Sequence, residues 1–118
     1  MMPHRDTLRS LAMNDERFIE SVLSIDLTDI ESSGLDPRMH AVARLGALIA
    51  SDAAPASYQW NTSMALASGV TVDEIVGALI AVAPIVGVAK VVSAAQGIAL
   101  AIGYDIDADL EAVDPLSA

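Results

Sequence analysis

Residues 58–75 read YQWNTSMALASGVTVDEI and place two helix boundaries in a row. An apolar, mostly unbranched helix runs from about Ala56 to Ser68, and Gly69 follows as its C-terminal stop, where a residue without Cβ takes the left-handed conformation most easily. Two residues later, Thr71-Val-Asp-Glu74 has the spacing of a capping box. The threonine hydroxyl can accept the amide of Glu74 while the glutamate side chain reaches back to the amide of Thr71. A helix that ends on glycine and another that opens on a capping box make an α-hairpin, and the segment has no strand-like alternation.

The same punctuation repeats outward from this hairpin. Asp36-Pro37 puts a capping carboxylate before a proline at the first helical position, and the helix that follows carries Ala41, Val42, Leu45, Leu48 and Ile49 on one face. Asp52-Ala-Ala-Pro55 interrupts it. The capping box opens a helix reaching about Gly87, with Pro84 near its end, and a last helix holds Val88 to Ile102 before Gly103. Towards the N-terminus, Asn14 is a candidate cap for a short helix through Ser24, preceded by a helical turn over Asp6 to Met13. Ile25 to Leu35 reads as a polar connection, and the tail from Tyr104 as a short acidic helix or an unstructured end. The expectation is an all-α domain of about five to six helices.

Composition limits what such a domain can do. The chain has 118 residues, 53% apolar but only 3% aromatic, so its core is built from Ala, Val, Leu and Ile. One small domain leaves much of its surface exposed, and an apolar surplus there points to helices covered by further copies of the chain. There is no cysteine, which excludes disulfides, thiolate metal sites and dithiol redox chemistry. The charged N-terminal segment lacks the apolar core of a signal peptide, so a cytoplasmic setting is expected. The net charge of −10 argues against nucleic acid. Acids dominate residues 1–36 and 105–118, while residues 37–104 are nearly balanced. The uncharged stretch 75–89 is shorter than the roughly 20 residues that cross a bilayer, so no membrane span is expected. His4 and His40 are far apart and lack a matched carboxylate spacing, so no metal site is expected; no cofactor is expected either.

Few residues remain that could carry chemistry. Ser57 and Asn61 lie four apart and share a helix face with Met64 and Ser68. They could hydrogen-bond a ligand, or Asn61 could satisfy backbone groups within a helix interface. Tyr58 and Trp60 could line a small pocket or plug a gap between helices. His40 and Arg44, also four apart, could bind an anion or form a surface pair. Lys90, the only lysine, stands early in an apolar helix. It could stabilise developing negative charge, or pair outward with Asp73 or Glu74.

Taken together, Leu35-Asp-Pro-Arg38, the apolar helix after it, Tyr58-Gln-Trp60, Ala65-Leu-Ala-Ser-Gly-Val70, Thr71-x-x-Glu74-Ile75 and Ala83-Pro-Ile-Val-Gly87 resemble the carboxymuconolactone decarboxylase family. The resemblance covers about residues 35–103. It leaves 1–34 as an acidic N-terminal extension and 104–118 as an acidic tail. It implies an all-helical fold that assembles as a homotrimer or homohexamer, and one of two chemistries. One branch decarboxylates a carboxylated muconolactone without a cofactor. The other, alkylhydroperoxidase-D-like, reduces peroxides with a Cys-x-x-Cys-x-x-x-His motif and a glutamate on the preceding helix.

The motif is not kept here. The family histidine stands eight residues before the helix-ending glycine, which is Asn61 in this chain. The cysteine positions fall at Ala54 and Ser57, and the glutamate at Ala41 or Val42. Thiol peroxidase chemistry is therefore excluded, because it needs a thiolate and a resolving thiol. Two readings stay open. One is a decarboxylase or related lyase with a degenerate site, acting on a small carboxylated lactone or conjugated acid, with Tyr58, Asn61 and Lys90 as catalytic donors and Ser57, Trp60, Met64 and His40 as binding residues. The other is a non-catalytic ligand-binding or assembly protein that kept the fold.

Overall fold

The structure, a computed structural model, describes residues 4–23 and 33–104. The chain divides into two compact units between Asp36 and Pro37. In the first lie α1 (His4–Ala12) and α2 (Glu16–Leu23); in the second lie α3 (Pro37–Ala50), α4 (Pro55–Ala67), α5 (Val72–Val86) and α6 (Val88–Ala101). No strand occurs among the described residues, and the all-α class expected from the sequence is the one observed. Among these helices none is long and apolar enough to cross a membrane.

In the first unit α1 packs on α2 through a tight turn. Asn14 has φ 55° and closes the end of α1, with the amides of Asn14 and Asp15 returning to the carbonyls of Leu11 and Ser10. The cap of α2 is accordingly Asp15, whose carboxylate accepts the amide of Phe18, and not Asn14 as the sequence suggested. An Asn tolerates the left-handed conformation that the turn demands, which leaves the next residue to cap.

In the second unit α3 packs on α4, α5 and α6, while α6 also packs on α4 and α5. Two cross-links set the direction of α3 against α4. The guanidinium of Arg38 donates to the carbonyl of Gly69, and the Tyr58 hydroxyl donates to the carbonyl of Leu48 at 3.1 Å. The start of α3 therefore meets the end of α4 and the reverse, so the pair is antiparallel. Arg38 also pairs with Glu74. Glu74 completes the expected capping box with Thr71, so one arginine ties together the start of α3, the end of α4 and the start of α5.

The core consists of Ala41, Leu45 and Ile49 from α3, Tyr58 and Ala65 from α4, Val70, Ile75 and Leu79, and Ala94 and Ile98 from α6. Leu48 is half-buried beside it, whereas Val42, expected on the same face, is exposed. The buried stripe of α3 is the narrow one set by i, i+4 spacing from Ala41. With so few large side chains, helices must approach closely, and the one buried aromatic ring needs a glycine opposite it. A Cβ built on Gly97 would lie 2.7 Å from Cδ2 of Tyr58.

That contact gives a direct test of the packing. Alanine favours a helix interior over glycine by about 1 kcal/mol, but here its methyl would collide with a ring pinned by its own hydrogen bond. Gly97→Ala is expected to destabilise the protein by about 1–3 kcal/mol despite the better propensity, read as a lower midpoint in urea unfolding.

Candidate functional site

The expected site residues on α4 fall into two groups by helical phase. Ser57, Asn61, Met64 and Ser68 are all half-buried and form the shared flank that their spacing predicts. Tyr58 belongs to the inward face, only 1% exposed, and Trp60 to the outward face, 52% exposed. Two residues apart on a helix, these aromatics point away from each other and do not line one pocket.

Each of the three candidate donors holds a backbone carbonyl. The Tyr58 phenol donates to Leu48, and burial, with the Asp52 carboxylate next in weight, raises its pKa against a hydrogen bond from Ala53 that acts the other way. It is therefore harder to ionise than a free phenol. Asn61 Nδ2 donates back to the carbonyl of Ser57 at 2.9 Å, one turn earlier in the same helix. Its Oδ1 has no partner among the described residues.

Lys90 corrects the sequence reading. It is exposed, and its ammonium donates to the carbonyl of Ala50 at 2.9 Å rather than pairing with Asp73 or Glu74. Glu74 is engaged by Arg38 and Thr71. Ala50 is the last residue of α3, so its carbonyl is among those a helix leaves without an internal partner. A cation there also meets the negative end of the helix dipole. Lys90 thus closes α3 from α6.

His40 and Arg44 form a pair, half-buried along the flank of α3 rather than on its solvent face. The Arg44 Nε donates to His40 Nε2 at 3.2 Å. Desolvation, followed by the neighbouring guanidinium, lowers the His40 pKa from its ordinary 6.5, so the ring is a neutral acceptor at pH 7.

Positions matching the family motif are equally uneven. Ala54 precedes α4 and is exposed, Ala41 is buried in the core and Val42 is exposed. One buried polar atom went unforeseen. Thr62, fully buried between Tyr58 and Ala65 along the inward face, has a hydroxyl with no hydrogen-bond partner among the described residues. Its signal was its place four residues after Tyr58. In the first unit, an open depression is lined by Asp6, Arg9, Ser10, Met13 and Asp15; none of the expected site residues borders it.

A model of the carboxymuconolactone decarboxylase family matches residues 16–99. The match begins earlier than the resemblance drawn from residues 35–103 and takes in α2. No curated protein and no solved structure matches the chain.

Two measurements check these roles. Lys90→Met removes the donor that closes α3 while keeping an apolar stem, and should cost about 0.3–1 kcal/mol, the worth of an exposed cation at a helix C-terminus; a raised melting temperature would contradict the assignment. The lowered His40 pKa means that the unfolded chain takes up the proton first. Stability should therefore be full above pH 6.5 and fall as the solution is acidified towards pH 5. Urea titrations across that window should show a shallower loss in His40→Gln.

Proposed function

The chain belongs to the carboxymuconolactone decarboxylase family, and we propose that it is an oligomeric member that binds a small carboxylated ligand and has given up the family's thiol and acid–base chemistry. The observation that carries this reading is the state of the three side chains that could serve a reaction. Tyr58, Asn61 and Lys90 each donate to a backbone carbonyl, of Leu48, Ser57 and Ala50 respectively. Decarboxylation breaks the bond to a departing carboxylate and leaves an electron pair as an enolate, which must be met by a donor held ready for it. The Tyr58 phenol and the Lys90 ammonium are both spent on carbonyls in the last turn of α3, and Asn61 turns back on its own helix. With no cysteine in the sequence, thiol-dependent peroxide reduction has no nucleophile.

A second reading, a cofactor-free decarboxylase, draws support from the half-buried flank of Ser57, Asn61 and Met64. The bond from Asn61 lies within its own helix and could be exchanged for one to a ligand oxygen.

Self-assembly belongs to the same proposal. Val72, Val76 and Ile80 repeat every four residues along α5, and Val88 and Val92 lie one turn apart on α6, with Leu100 exposed beyond Gln96. Ile80 is 69% exposed, Val88 79% and Leu100 73%. Isolated chains rarely leave apolar strips of this kind in water, and covering them with further copies of the chain, in a cytoplasmic trimer or hexamer, removes them.

Light scattering at micromolar concentration should give a mass several times 12.2 kDa, reduced by Ile80→Glu. A monomer would remove the assembly part of the proposal. Incubated with a carboxylated muconolactone, the protein should bind without releasing carbon dioxide, and Asn61→His alone should not start release. Turnover by the unaltered protein above a buffer control would transfer the assignment to the decarboxylase reading.

A further inference from the structure

Four of the five arginines are accounted for by solvent or by an acid. Arg5, Arg9 and Arg17 are exposed, where water solvates the charge, and Arg38 has Glu74. Arg44 has neither. It is half-buried, and no carboxylate pairs with it among the described residues. The sequence supplies none nearby, since no Asp or Glu occurs from Pro37 to Ser51. A partly desolvated guanidinium ordinarily recruits an acid, because its charge is costly to bury alone.

Its one hydrogen bond among the described residues is instructive. The residue four positions earlier, where a glutamate would form an ordinary helix ion pair, is His40. It accepts the Arg44 Nε proton through Nε2. An uncharged acceptor fixes the plane of the guanidinium without cancelling its charge. It also occupies Nε alone, so the Nη1–Nη2 edge keeps its parallel N–H donors, the fork that carboxylates engage bidentately.

The antiparallel register gives the level of Arg44 along α4. Arg38 meets Gly69 and Leu48 meets Tyr58, so Arg44 stands level with Thr62 and Ser63, next to Asn61 along the chain. Asn61 is half-buried too.

We propose that Arg44, oriented by His40, is the anchor for the carboxylate of a small organic acid. This rests on the ligand-binding reading above and names the residue that selects an acid over a neutral analogue. The chain carries a net charge of −10, so anions are repelled at long range, and recognition of one depends on a local fork of this kind.

The test is calorimetric titration of the oligomeric protein with sorbate, a conjugated monocarboxylate, and with its uncharged amide. Sorbate should bind, the amide about tenfold more weakly or worse, and Arg44→Met should lose about tenfold or more for sorbate, as expected for bonds to a charged group. Arg44→Lys, which keeps the charge without the fork, should fall between, and it serves equally if the Met variant does not fold. The ring resonances of His40, one of two histidines in the chain, should shift on adding sorbate. Equal affinity for acid and amide, or undiminished sorbate binding in the Arg44 variants, would overturn the anchor and leave the ligand-binding reading standing. Binding of neither probe by the unaltered protein would overturn both. A change of oligomer mass in Arg44→Met would show that the arginine meets an acid of a second copy, and would overturn the anchor.

Discussion

Where α4 meets α6, the ring of Tyr58 fills the space that a side chain on Gly97 would need, and its hydroxyl reaches across to the carbonyl of Leu48 on α3. This one residue fixes three helices. The ring sets how near α6 can approach, and the hydrogen bond sets the level of α3 against α4. A core otherwise made of Ala, Val, Leu and Ile has little shape of its own, since small aliphatic residues pack in several registers at similar cost. A bulky ring with one polar end admits a single arrangement.

The opposite end of the same helix pair is held by charge. Arg38 gathers the end of α4 and the start of α5, and the capping box places Glu74 where the guanidinium can reach it. Lys90 does a related task for the end of α3. Polar side chains in this unit therefore serve helix ends first, which is where backbone groups lack internal partners. Tyr58 and Lys90, attractive as donors on paper, are both spent in the last turn of α3, while Asn61 turns back on Ser57 within its own helix. His40–Arg44 stands apart, since among the described residues no acid pairs with this guanidinium.

Much of this was legible beforehand. Helix boundaries follow from Pro37, Pro55, Gly69, Thr71–Glu74, Gly87 and Gly103, because glycine, proline and capping residues act locally. The shared flank of Ser57, Asn61, Met64 and Ser68 follows from helical period alone. The cap of α2 was misplaced by one residue, since adjacent Asn14 and Asp15 can both cap, and only the turn's left-handed residue decides between them. Lys90 pairs with neither Asp73 nor Glu74, because its partner is a backbone carbonyl forty residues away, which leaves no mark in the sequence.

The sequence by itself determined the helical class, the order and ends of the helices, the absence of thiol chemistry and the family. All of these depend on local conformational preference or on residue identity. Tertiary structure decided which polar groups are already committed and which remain free. Donation by Tyr58 to Leu48, the exposure of Trp60, the close approach at Gly97 and the half-burial of Arg44 without an acid depend on how separate helices face one another. That geometry is fixed by packing between residues distant in the chain, and helical spacing carries no record of it.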